Sequence, residues 1–241
     1  MKLGRVVALW RYAVSSMAGE QLERARVDAS GIVGDRTHGV FHAETGAIAY
    51  PGRDRRWSAL PQAHSRLGRD GGLEVSLDGA SWFDPGEPRH AARLSTGVGF
   101  PAAIRAYSED GPQPRYRRAP IHLLTTAALR SLQALLPGHA IDERRFRPNI
   151  LVETLEGVEG IPEYGLRGRS FRLGQVTLRG TIPCARCAFT TLAQDGLPED
   201  REIYRTLLHH FGRDFGLYCE VEEAGSLQHG DAVLQLEAAP L

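Results

Sequence analysis

The stretch "RSFRLGQVTLRGTIPCARCAFTT", residues 169–191, decides how this chain folds. Its first half alternates apolar and polar residues with period two, the signature of strands buried on one face. Leu173-Gly174-Gln175 marks a turn between two such strands, and the second strand delivers the chain to Cys184. Similar short runs, bounded by Gly, Pro or Asp, recur elsewhere: "RVVALWRYAV", "ERARVDASG", "THGVFHAETGAIAY" with a tight turn at Thr45-Gly46, "GLEVSLDG" and "RPNILVET". "LYCEVEEAGSLQHGDAVLQLE" reads as two closing strands. Two segments have helical spacing instead. "PIHLLTTAALRSLQALLPG" carries Leu129, Leu132, Leu135 and Leu136 after a Thr125 or Thr126 cap and stops at Pro137-Gly138. "DREIYRTLLHHFG" runs from an Asp200 cap to a Gly212 stop. Many short strands with few helices predict a mainly β, α+β fold with β-barrel-like subdomains, not alternating βαβ units. Residues 82–118, rich in Pro, Gly and charge, read as a long crossing. They place a domain boundary near residue 100, giving units 1–100 and 101–241.

Composition narrows the function. The 241 residues suffice for one large domain or two small ones. Lys plus Arg equals Asp plus Glu at 29 each, so no excess positive charge exists to displace counterions from nucleic acid or a membrane surface. No apolar run approaches the ~20 residues of a membrane helix. The N-terminal "MKLGRVVALWRYAVSS" reads as a first strand rather than a signal peptide. Three cysteines suit a reducing cytoplasm rather than a disulfide scaffold.

The pair Cys184 and Cys187 admits four chemistries. A structural zinc site needs four ligands, and only Cys219 and scattered histidines such as His209 and His210 are left to complete it. A redox dithiol wants a helix to follow, and "AFTTL" does not start one well. Both thiols could be small buried hydrophobes. One thiolate could instead ligate a metal: Arg186 precedes Cys187 and favours its thiolate form, and the Thr190 and Thr191 hydroxyls could bind an anion. A second stretch, "ERRFRPNI", would put Arg145 and Arg147 on one face of an extended strand, where two guanidinium forks want a phosphate or carboxylate between them and Asn149 adds an amide. Salt bridges to Asp142 and Glu143 are the ordinary alternative. A third, "GIVGDRTHGVFHAETG", frames a turn with Gly31 and Gly34 and opens a strand at Asp35-Arg36, with Arg36 available to the same anion or to a surface ion pair.

Together and in this order, these stretches resemble the MOSC superfamily, named for the C-terminal domain of molybdenum cofactor sulfurases. "LWRYAVSSMAGEQLERARVDASGIVGDR" is similar to the family's N-terminal barrel domain, usually YPVKS, a small-residue turn, then GLxGDR. "RRFRPNILVE" resembles its RxRPN strand, "PCARCAFTT" its CxRCxxTT signature, and "LYCEVEEAGSLQHGDAV" its closing strands. The likeness extends over nearly the whole chain, in the two-domain arrangement of the amidoxime-reducing components and their bacterial relatives. It implies a MOSC-type barrel with a few flanking helices. It implies that Cys187 ligates molybdenum in the molybdopterin cofactor and is the catalytic residue. It also implies cofactor contacts at Arg145, Arg147, Asn149, Arg36 and Ser16, with Arg186, Thr190, Thr125 and Thr126 nearby, and Cys184 as a neighbour rather than a ligand. The motif lysine is replaced by Ser15, and Glu163 stands in "PEYGLRG" near the place of a family tryptophan. Neither haem nor flavin is signalled, so electrons would come from a separate donor protein. The expected activity is an oxidoreductase that reduces N-hydroxylated or N-oxide small molecules. A sulfur carrier using a Cys187 persulfide, or a non-catalytic cofactor-binding module, are the alternatives. Asp35 and His122 are the available acid-base groups.

Overall fold

The computed structural model describes residues 2–108, 110–114 and 119–236. Its centre is a closed seven-strand barrel. We label the staves β1 (Lys2–Arg11), β2 (Ile121–Thr125), β3 (Ile150–Thr154), β4 (Ser170–Leu173), β5 (Val176–Ala185), β6 (Asp214–Glu223) and β7 (Ala232–Gln235). Around the ring the order is β3-β2-β6-β5-β4-β7-β1, and β1 closes on β3. Only β2 and β3 run parallel among these pairs. The β4–β5 hairpin turns where the sequence places it, with Gly174 at φ 54°.

Period-two patterning fills the barrel. Val6, Ile121, Leu123, Ile150, Val152, Phe171, Leu173, Val176, Leu178, Leu217 and Val233 form one buried core. Burial of each such side chain is worth about 1.5–3 kcal/mol. The intervening residues Leu124, Leu151 and Phe215 face outward and meet two helices, α2 and α3 below, through Ala128, Leu132, Ile203 and Leu207. Strand β2 is therefore buried along its whole length.

Three α-helices are described: α1 (Ala91–Val98), α2 (Thr126–Leu135) and α3 (Arg201–Phe211). Thr125 caps α2 by accepting the Ala128 N–H at 3.2 Å. Asp200 caps α3 by accepting the Glu202 N–H at 3.1 Å, and Gly212 ends it in the left-handed region. Leu132 and Leu136 are buried as the spacing predicts, Leu129 partly so, together with Ala127 and Ala128; only Leu135 of the four leucines is exposed.

The rest of the N-terminal half has its own core of Val14, Met17, Val40, Trp57, Leu60, Val75, Phe83, Leu94 and Val98. It is built from a three-strand sheet (64–67, 73–76, 82–83) and a pair formed by His38–His42 with Ala102–Ala106. Four local expectations are corrected. The crossing at 82–118 contains α1 and two strands, with residues 109 and 115–118 outside the described set. After the Thr45-Gly46 turn only a single bridge, Phe41 to Ile48, forms. The closing segment has three strands, because Gly225–Gln228 leaves the barrel to pair with Arg24–Asp28. Asp35 and Arg36 sit in a turn, with Arg36 at φ 49°, and the next strand starts at His38.

Candidate functional site

Four non-glycine residues adopt positive φ: Ser16, Arg36, Arg147 and Arg213. Such conformations are costly and gather where structure serves function. The first three are tied to one another. Arg36 Nη2 donates to the Arg147 carbonyl at 3.0 Å, and Arg147 Nη1 donates to the carbonyl of Met17, next to Ser16. The fourth supports the cysteine loop, since its carbonyl accepts the Arg186 N–H at 2.8 Å.

Tyr12 lies at the centre. Arg147 sits 4.1 Å and Arg36 4.8 Å from its ring centroid, within cation–π range. Burial pushes the Tyr12 phenol well above its ordinary pKa, so it remains a neutral hydroxyl. Burial disfavours charge on Arg36, but the Asp35 carboxylate beside it more than offsets this. Asp35 also accepts the Tyr12 N–H at 2.8 Å, which makes it a brace rather than an acid-base group. Arg147 is compensated less: burial, and then the Arg36 charge, lower its pKa to about 9, with Tyr12 and Asp35 offsetting only part of this.

A small cleft of about 80 Å³ opens beside Arg147, between the two halves of the chain. Its walls include Trp10, Tyr12, His64, Arg147, Gln194 and Asp195. Four of these side chains hold a buried polar atom with no hydrogen-bond partner: Trp10 Nε1, Tyr12 Oη, Arg147 Nη2 and Gln194 Nε2. Each can donate. An unsatisfied buried donor costs about 1–3 kcal/mol, so four beside one cleft describe a surface made for a ligand rich in acceptors.

Cys187 does not line this cleft and is linked to it through Phe189. It is half-buried and caps the short 3₁₀ turn Ala188–Thr191, which corrects the expectation that no helical turn follows it. Two residues on, the Phe189 ring lies 5.3 Å from the Arg147 guanidinium. The N-terminal half reaches the thiol through Gly52: a side chain there would stand 2.9 Å from Cys187 Sγ, so only glycine fits without displacement. Among the described residues no group of three or more His, Cys, Asp or Glu gathers as a metal cage.

Other expected site residues are placed differently. Residues 143–146 form a 3₁₀ turn capped by Asp142, not an extended strand, so Arg145 and Arg147 diverge. Arg145 is fully buried, and its guanidinium donates to the carbonyls of Ala140, Thr190, Leu192 and Pro198 at 2.8–3.4 Å. Asn149 is a brace: Oδ1 accepts from Arg36 Nη1 at 3.2 Å and His122 N at 3.1 Å, and Nδ2 donates to the Trp10 carbonyl. The Thr190 hydroxyl donates to the Cys187 carbonyl at 3.1 Å and holds the turn. Thr125 donates to Glu163 Oε2 at 2.6 Å, and Thr126 bonds Thr154 and Arg130, so both sit on the helix seam. Arg186 donates to Cys184 rather than to Cys187. The sequence reading passed over Trp10, Tyr12 and Gln194. Trp10 and Tyr12 stand two apart on one face at the end of β1, a period-two signal that was legible.

Residues 94–234 match the MOSC domain family, and residues 3–90 match the MOSC N-terminal beta barrel domain family. The mitochondrial amidoxime reducing component 2 of Rattus norvegicus is 30% identical over 190 residues, covering 70% of this chain and 53% of that protein. Its Bos taurus counterpart is 28% identical over 163 residues, covering 62% and 45%. The chain thus spans about half the length of these curated relatives. The crystal structure of the YUAD protein from Bacillus subtilis superposes with a TM-score of 0.53 at 12% identity, over 95% of this chain and 93% of that one. At that identity the likeness speaks for the fold alone. Among the described residues, no helix is long and apolar enough to cross a membrane.

Proposed function

The chain belongs to the MOSC family, and on that premise we propose that it binds the molybdenum cofactor and reduces N-hydroxylated or N-oxide small molecules. The observation that carries this reading is the buried Nη2 of Arg147, without a hydrogen-bond partner among the described residues, in a guanidinium that Arg36 repels and Asp35 offsets only in part. Such a cation awaits an anion, and the acidic tail of a phosphorylated pterin is one. The residues present fit the group: a half-buried thiol for the metal, an arginine pair for the phosphate, and orphaned donors at Trp10, Tyr12 and Gln194 for ring heteroatoms. Lacking lysine at Ser15, the site leaves the anion to Arg147 and Arg36, with Ser16 on the adjoining turn.

When bound, the metal supplies two-electron oxygen-atom transfer. The chain's own part is to position. Asp35 and Asn149 hold Arg36, Arg36 holds the Arg147 carbonyl, and the Met17 carbonyl aims the Arg147 guanidinium. Thr190 and the 3₁₀ turn fix the Cys187 backbone, and Gly52 lets the N-terminal half close over its sulfur. Reduction of an N-hydroxyl group takes up two electrons and two protons and releases water. The electrons come from a separate donor protein.

Elemental analysis tests this. The purified chain, produced in a host that makes the cofactor, should carry molybdenum in a 1:1 ratio, about the stoichiometry of one thiolate ligand. Cys187→Ala should lose it together with reduction of an N-hydroxylated substrate by an artificial donor. A cyanide-labile sulfur on Cys187 without molybdenum would make the protein a sulfur carrier instead.

A further inference from the structure

The loop between the two cysteines carries a cation that no carboxylate answers. Arg186 donates through Nη1 to Cys184 Sγ at 2.7 Å and through Nη2 to the Phe146 carbonyl at 2.6 Å. Arg186 is half-buried, and a guanidinium partly withdrawn from water is stabilised by an anion in contact with it. The Phe146 carbonyl supplies a dipole but no charge. Cys184 is the group in hydrogen-bond contact that can become an anion.

The surroundings of Cys184 suit that state. Its side chain is 1% exposed. Besides Arg186, the titratable groups that face it are His122 from β2, Tyr218 from β6 and Tyr164 from the 3₁₀ turn Pro162–Leu166. Burial pushes the thiol up, but Arg186, His122 and a hydrogen bond from Tyr218 bring it well below the ordinary thiol range. His122 is wedged in place. Gly216, at φ 86°, lies against Nε2 so closely that a side chain there would collide with it, while Nδ1 meets the Arg147 carbonyl at 3.3 Å. The cluster thus joins β2, β5 and β6 to the backbone of Arg147.

We propose that Cys184 is a positioning residue for Cys187: its sulfur is the anion of a Cys184–Arg186 ion pair that locks the 184–187 loop. This rests on the reading of Cys187 as the metal-ligating thiol. Arg186 is the residue next to Cys187, and its N–H is already fixed to the Arg213 carbonyl at 2.8 Å. With the guanidinium pinned as well, the approach to Cys187 is held from main chain and side chain at once. Thr190 holds Cys187 from the other side. The two cysteines of the motif therefore divide the work, one exposed to a ligand and one buried as a fixed charge.

Two measurements test this. The first is thiolate ultraviolet absorbance of the full-length Cys187→Ala variant at neutral pH. The account predicts a thiolate band that disappears in the Cys184→Ser/Cys187→Ala double variant; Cys219, pushed up by burial, adds nothing. Absence of the band from the single variant overturns the ion pair. This readout needs no molybdenum, so it stands even if Cys187 proves not to be the ligand. The second compares Cys184→Ser and Cys184→Asp with the natural chain. Loss of the charge should weaken molybdenum retention about 10- to 100-fold, as loss of an outer partner does elsewhere. Aspartate should restore most of it. Equal retention in Cys184→Ser and the natural chain would overturn the positioning role. Retention in Cys187→Ala would instead overturn the reading of Cys187.

Discussion

Arg145 and Arg147 stand two residues apart, and the regions around them are built on opposite principles. Around Arg145, four carbonyls from the segments packed against it receive the guanidinium. Around Arg147, one carbonyl and two aromatic faces receive it, a second arginine repels it, and Nη2 has no hydrogen-bond partner among the described residues. A saturated buried cation is architecture. An unsaturated one records an interaction that the folded chain does not complete by itself.

The largest expected effect sharpens this contrast. Arg145→Leu strands four carbonyls and should destabilise by at least about 3 kcal/mol in urea denaturation, or abolish folding. Arg147→Met removes a cation that the cofactor-free fold holds at a cost, and should change stability by less than about 1 kcal/mol. Equal losses at both positions would erase the distinction.

Next comes Glu163, buried beneath α2. Burial is the main cause that raises its pKa, offset in part by the Thr125 hydroxyl, to about 7. A carboxyl raised above its unfolded value of 4.5 stabilises the fold fully below that value. The contribution falls as pH climbs and is gone above the folded pKa. Glu163→Gln should therefore match the natural chain at pH ~4 and exceed it by up to about 3 kcal/mol at pH ~8. A constant difference across pH would refute this. Thr125→Ala loses the α2 cap and the bond to Glu163, and should cost about 1–2 kcal/mol by thermal melting. The smallest effect is at Ser16. At φ 74° it occupies backbone space that favours glycine, so Ser16→Gly should be neutral or stabilising by less than about 1 kcal/mol. A loss larger than that would show that the side chain itself supports the turn.

The same pair of arginines shows what the sequence makes legible. The α3 cap and stop, Asp200 and Gly212, and the Leu173-Gly174-Gln175 hairpin are local and were readable. The divergence of Arg145 and Arg147 was not, although its signal was present. Asp142 accepts the Arg144 N–H at 2.9 Å as a cap, and that starts a 3₁₀ turn where alternation suggests a strand. The role of β1 was hidden for another reason. Its partners β3 and β7 lie far from it along the chain, and no local pattern encodes such pairings. Likewise the Cys187 region was visible in its motif, but the approach of Gly52 to its sulfur depends on how the two halves meet.

The most direct measurement is the molybdenum content of folded Arg147→Met beside that of the natural chain, both purified from a cofactor-producing host. The account predicts a metal-loaded natural chain and a variant that is equally well folded yet largely empty. A variant as fully loaded as the natural chain would contradict the claim that Arg147 and Cys187 grip one ligand.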